Sequence, residues 1–412
     1  MNATAIHAGV SAFAEHTRCP DVLLDLDDTH ADGVIPDVTT EVENLRRECY
    51  LDNRLAADAG LGLKAVARSA YYAVRPLLPV AVRKHAQRFA LRDWQTLRFP
   101  AWPVDVTVER LMSDVFDRLL TVHGKTEMPF IWFWPDGHSA AAMMTHDVET
   151  AAGRDFCGTL MKVESERAIR SSFEVVPESR YEVPATFLDE LRSGDCEVCV
   201  HDLNHDGRLF VDEAVFRERA KKVNDYAQQF GATGFRSAVM YRRVDWFDAF
   251  EFSYDMSLPN VAHLDPQRGG CCTVMPYFIG RVLELPLTTT QDYQLFHILR
   301  RHDLDLWTQQ AAIVLEHHGL LSFIIHPDYM LARRALDLYA RLLDYLAELR
   351  ETGDTWMALP GDIDRWWRQR RGLRLDWRGN RWQVSGAGAE RARVAFAYRD
   401  SGRIRYRVEG AA

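Results

Sequence analysis

Two histidines four residues apart, His201 and His205, stand in the stretch DCEVCVHDLNHDG (195–207), where a β-rich run gives way to a loop. A strand residue and one four further on can turn toward the same point, so the spacing suits two imidazoles sharing an ion. Upstream, Thr145-His146-Asp147-Val148-Glu149 sets two carboxylates two positions apart at another strand end, and downstream His326 closes an apolar run. Alone, the acids read as solvated surface groups. With the histidines, they make the donor set of a hydrolytic metal site, in which one carboxylate binds and another takes a proton from water.

Two other readings compete for the same stretch. Cys196-x-x-Cys199 followed by His201 and His205 has the look of a structural zinc site, but on a strand Cys196 and Cys199 point to opposite faces. Residues 202–213 fit a calcium loop, with Asp202, Asn204, Asp206, Gly207 and Glu213 in register. Against it, a strand rather than a helix precedes the loop, and Phe210 holds the ninth position.

These residues must be held by their elements. Seven β-rich runs (AAMMTHDV, RSSFEVV, EVCVHDL, GFRSAVMY, FEFSYDMSL, RVLELPLT and LLSFIIHP) alternate with helical patterns between about 130 and 350. Repeated strand–helix units imply parallel pairing, and parallel barrels collect their chemistry at strand ends. The expected fold is α/β, a distorted (β/α) barrel of about seven parallel strands. The expected organisation is a loose segment 1–37, a helical region 38–125, the barrel 126–360, and a C-terminal part 361–412 made of a helix and a small appendage of two β-hairpins. Residues 64–98 carry seven arginines and lysines besides Lys64 against one acid, Asp93. A solvated basic face and a surface for acidic lipid or sugar phosphate both remain open there.

The formal charge of -9 over 412 residues argues against a general nucleic-acid binder. The first thirty residues have no basic start and no long apolar run, and the seven cysteines follow no regular pattern. The expectation is free thiols in a cytoplasmic protein.

The ordered set resembles the polysaccharide deacetylase (NodB-homology, carbohydrate esterase family four) superfamily over roughly 141–328. The acid pair after Thr145, the histidine pair, Gly234-Phe235-Arg236-Ser237, Ser253-Tyr254-Asp255-Met256-Ser257, and the run from Ser322 to His326 match its five motifs in order. The resemblance implies Asp147 as general base, with Glu149, His201 and His205 as ligands of a divalent metal, most often zinc. Arg236 would hold Asp147 ionised. His326 would be the general acid, kept cationic by Asp255. The chain departs from the pattern at Glu149, where the family has Asp and where His146 competes as ligand, and at Ala238, where the family has Pro.

The functional expectation is a metal-dependent hydrolase removing an N-acetyl or related acyl group from a sugar precursor, nucleotide- or lipid-linked, of polysaccharide or glycoconjugate synthesis. A non-catalytic metal-containing binding module of such a pathway, and a calcium-binding protein through 202–213, stay as alternatives. In the run Leu285–Asp292, Thr290 reads as a helix cap, and Gln291 with the neighbouring hydroxyls as sugar contacts. Trp366 and Trp367 read as packing between barrel and appendage.

Overall fold

A computed structural model describes residues 11–24, 38–51, 91–352 and 355–410. Its strands are β1 (Glu127–Ile131), β2 (Ala140–Val148), β3 (Ser171–Val175), β4 (Glu197–His201), β5 (Gly234–Arg236), β6 (Tyr254–Asp255), β7 (Tyr277–Ile279), β8 (Val282–Glu284), β9 (Leu320–Ile324), β10 (Thr355–Met357), β11 (Arg374–Arg378), β12 (Arg381–Ser385), β13 (Val394–Asp400) and β14 (Arg403–Val408). Every residue of β2 is buried, as its unbroken apolar start requires of a parallel strand covered on both faces. β9 runs parallel along one edge of β2, while β10 and then β3 share the other edge.

From β3 the sheet continues through β4, β5, β6 and β8 in parallel, and β7 folds back antiparallel on β8. The parallel course β9-β2-β3-β4-β5-β6-β8 contains one strand from each of the seven expected runs. The fold is an α/β curled sheet, a distorted barrel. No backbone ladder joins β8 to β9. Threonine side chains span that gap instead: the Thr288 hydroxyl donates to the Leu320 carbonyl at 2.6 Å, and Thr289 donates to Ser322 at 2.7 Å. Helices Ala151–Ser165, Ala185–Ser193, Glu213–Phe230 and Asp305–Glu316 fill the crossovers. The third of them starts on Asp212, whose carboxylate accepts from the Ala214 and Val215 amides, and stops on Gly231 in the left-handed region.

Both expected C-terminal hairpins form, β11–β12 and β13–β14. The second also pairs through β13 with β1, so residues 127–131 belong to a three-stranded antiparallel sheet outside the barrel. Trp366 and Trp367 are buried, and the Trp366 indole donates to the Phe133 carbonyl.

The expectation of a loose start needs correction within 11–24. Ser11–Thr17 is helical and buries Ala12, Phe13, His16 and Thr17, with Phe13 edge-on to Phe116 at 4.7 Å. The helix Val38–Arg46 leads to Glu48, which forms a buried ion pair with Arg242 beyond β5. Of the basic run 64–98, residues 64–90 lie outside the described residues. Among the described residues, no helix is long and apolar enough to cross a membrane.

Candidate active site

The site assembles where β2, β4, β5 and β9 end. β4 finishes on His201, and the chain then coils back through two left-handed residues, Asp202 (φ 56) and His205 (φ 54), before Gly207 (φ 74). Aspartate and histidine tolerate that region better than branched residues. This turn is what brings a strand histidine and a loop histidine together, with ring centroids 4.9 Å apart. The Asp202 amide is tied to the Arg236 carbonyl at 2.9 Å, which anchors the turn on β5.

Glu149, just past the end of β2, lies with its Oε1 2.8 Å from His205 Nε2 and 3.8 Å from His201 Nε2. The ligand atoms of the three residues all fall within 4.8 Å of one another, the only such group among the described residues. His201 Nδ1 is 3.1 Å from the Arg236 carbonyl, which makes it the donor and turns Nε2 toward Glu149. That Nε2 and His205 Nδ1 are buried with no hydrogen-bond partner among the described residues, while His205 Nε2 pairs with the Glu149 carboxylate. Two aimed imidazoles and a carboxylate fit a divalent cation that takes nitrogen and oxygen donors.

Asp147 faces the same space, with Oδ2 3.7 Å from His201 Nε2. Its other oxygen accepts from Arg236 at 2.7 Å, and the same guanidinium nitrogen donates to Thr145 at 2.8 Å. Burial resists ionisation of Asp147. The Arg236 charge, aided by His201 and His326, outweighs it and holds the carboxyl below its ordinary range.

His326 comes in from β9, its Nε2 3.4 Å from Glu149. The expected partner, Asp255, does not reach it. Asp255 accepts from the Ser257 amide and hydroxyl, and burial pushes its carboxyl up. Asp292 takes that place: it accepts from the His326 amide at 2.8 Å and pairs with Nδ1 at 2.6 Å. Burial works against a cation here, yet Asp292 and Glu149 hold the imidazolium well above its ordinary range.

His146 does not compete as a ligand. Strand alternation turns it away from Asp147, and it is buried against Glu164 at 2.6 Å and the Ile325 carbonyl at 3.1 Å. The calcium reading of 202–213 also fails on geometry: Asp206 makes two 2.8 Å bonds to Arg219, and Glu213 pairs with Arg217. Cys196 and Cys199 belong to separate contacts, with Ser171 and Tyr254, and none of the seven cysteines forms a disulfide. Thr290 caps nothing; its amide donates to Gln310.

Sequence reasoning missed Asp292 and Glu174. Asp292 stood in the run already singled out, after three threonines, where attention went to hydroxyls. Glu174, fully buried on β3 and 3.4 Å from Arg236, gave no signal beyond being an acid inside a strand.

No family model matches the sequence, and no curated protein does. Among solved structures, 31 chains match. A putative polysaccharide deacetylase from Mycobacterium smegmatis is 18% identical over 58% of this chain and 93% of its own, with a TM-score of 0.46. Puue allantoinase is 15% identical over 57% and 92%, with a TM-score of 0.46. A probable polysaccharide deacetylase from Pseudomonas aeruginosa PAO1 is 16% identical over 56% and 91%, with a TM-score of 0.42. At such identity the likeness concerns fold, and function has to be read from the side chains.

Proposed function

We propose that the protein is a metal-dependent hydrolase that removes an acetyl or related acyl group from the nitrogen of an amino sugar, a precursor in polysaccharide or glycoconjugate synthesis. The observation that supports this reading best is the convergence of Glu149, His201 and His205, both imidazoles turning Nε2 toward the carboxylate, beside Asp147 with its Arg236 and His326 with its Asp292. A divalent ion held by Glu149, His201 and His205, with zinc the expected one, would polarise the acyl carbonyl and acidify a water.

The chain's own residues divide the proton work. Asp147, kept ionised by Arg236, takes the proton from the attacking water. His326, kept cationic by Asp292, gives its proton to the leaving nitrogen.

The test uses purified protein loaded with zinc or cobalt and N-acetylated sugar donors, with acetate release as the readout. Asp147→Asn should abolish release while metal content, read by elemental analysis, is kept. Tight metal binding without turnover of any acylated sugar or amide supports the binding-module reading instead.

A further inference from the structure

His146 precedes Asp147 on β2 and points to the other side of the sheet, where it is buried together with Glu164, Ser171 and Tyr339. Its ring stacks on Phe173, centroids 4.7 Å apart. Nε2 meets Glu164 at 2.6 Å, and Glu164 also accepts from the Ser171 hydroxyl at 2.7 Å and from the hydroxyl of Tyr339, on the helix Arg333–Glu351. Nδ1 lies 3.1 Å from the Ile325 carbonyl. A carbonyl only accepts, so Nδ1 carries a proton, and a carboxylate ionised among two hydroxyl donors takes a second one from Nε2. Burial opposes the resulting imidazolium, but the Glu164 charge outweighs it and raises the group above its ordinary range. An apolar ring on Phe173 would fill the same space without burying two charges, so packing alone does not account for the pair.

The carbonyl that His146 holds belongs to the peptide from which His326 hangs. The pairing of β2 with β9 ends at Thr145 and Ile324, and the Ile325 amide still reaches the Thr145 carbonyl at 3.0 Å. The next peptide, Ile325–His326, is held by side chains: His146 Nδ1 on its carbonyl, and Asp292 on its amide at 2.8 Å. The C=O and N–H of a trans peptide point in opposite directions, so the two side chains grip one rigid plane from opposite sides.

We propose that His146 is a positioning residue for the proton donor: by holding the Ile325 carbonyl while Asp292 holds the amide of the same peptide, it fixes His326 at its 3.4 Å approach to Glu149. The bond is charge-assisted, hence stronger and more directional than a neutral one. Glu164, with Ser171 and Tyr339 on it, keeps the ring oriented from behind. Because His146 adjoins Asp147, one strand then sets the places of both base and acid. This rests on the hydrolase reading above.

The test compares zinc-loaded wild type with His146→Leu, His146→Asn and His146→Gln on a tetramer of N-acetylglucosamine and on p-nitrophenyl acetate, whose leaving group needs no proton. Asparagine puts its NH2 group where Nδ1 stands, and glutamine puts it where Nε2 stands. With zinc content kept, the ratio of tetramer to ester kcat/KM should fall about tenfold or more in His146→Leu and His146→Gln, through kcat rather than KM. His146→Asn should restore it to within about threefold of wild type. A ratio unchanged in His146→Leu, one that His146→Asn does not restore, or one that His146→Gln keeps equally well overturns the assignment and leaves a structural ion pair with Glu164. Where the variants do not fold, histidine-selective 15N spectra of wild type decide. A protonated, exchange-protected Nδ1 on the ring in contact with Phe173 upholds the grip on the peptide, and a bare Nδ1 overturns it. No hydrolysis of either compound by wild type overturns the hydrolase reading, a separate result.

Discussion

Asp292→Asn isolates the proton-donating arm of the site. Asp292 accepts from both the His326 backbone amide, at 2.8 Å, and its Nδ1, at 2.6 Å. The oxygen that meets Nδ1 also accepts from the Tyr293 amide at 2.7 Å, so an asparagine sets its NH2 group against a backbone donor in either orientation. It also removes the negative charge that favours the imidazolium. Hydrogen bonds to a charged group contribute about 1.5–3 kcal/mol. With about 1.36 kcal/mol per tenfold in rate, expulsion of a poor amine leaving group should slow by roughly ten- to a hundredfold. A p-nitrophenyl ester leaves as a stable phenolate and needs no proton. The ratio of amide to aryl-ester kcat/KM in zinc-loaded protein is therefore the readout. His326→Gln sets the lower bound, about 10²–10⁴-fold for loss of a general acid. Asp255→Asn is the contrast, since that carboxyl meets Ser257 rather than the histidine. A ratio unchanged in Asp292→Asn, or one that falls further in Asp255→Asn, refutes the assignment.

Removing either nitrogen ligand, in His201→Ala or His205→Ala, should abolish stoichiometric zinc in elemental analysis. It should also abolish the stabilisation by metal, about 2.7 kcal/mol at a free ion concentration of one hundred times Kd, seen as a shift in Tm. Glu48→Ala leaves the Arg242 guanidinium buried without its carboxylate, and breaking such a pair costs about 3–5 kcal/mol, measurable by urea unfolding. Burial pushes the Glu109 carboxyl up to about 7 despite bonds from Thr273 and Val274. A raised carboxyl stabilises the fold fully below its unfolded value near 4.5, and that contribution is lost as pH rises toward 7. Wild type should thus lose about 3 kcal/mol across this window that Glu109→Gln does not, read from unfolding curves at pH 4.5 and 8. Calcium titrated calorimetrically should give no micromolar binding at 202–213, because Arg219 already holds Asp206.

What could be read in advance follows from what each feature depends on. The parallel strands announce themselves because burial on both faces forces short β-rich runs, as in Leu320–Ile324. β10, three residues long, and β1, interrupted by Pro129, carry no such pattern and exist only through their pairing partners. The metal residues were legible because each ends a strand or the loop after it. Asp292 was not, because its approach to His326 depends on Thr288 and Thr289 bringing the segment after β8 onto β9, a contact across more than thirty positions. Local spacing cannot encode that. The basic run 64–98 falls mainly on residues that are not described, so its role as solvated face or lipid surface stays with the sequence.

One guanidinium sets two neighbouring buried acids apart. Arg236 stands 2.7 Å from Asp147 and 3.4 Å from Glu174, and both acids are buried. Burial raises both carboxyls, but for Asp147 the nearer contact, with His201 and His326 adding positive charge, reverses the shift. For Glu174 burial wins, and the charge on Asp147 itself adds to the rise. For Asp255 burial outweighs its Ser257 bonds and the more distant Arg236 charge, and Glu284 rises as well, by burial first and repulsion from Asp255 next. Of these buried acids, the one lowered is Asp147, which faces His201 and Glu149. Arg236 acts as a selector as much as a partner: its position at the end of β5 favours the charged form of Asp147 over that of Glu174.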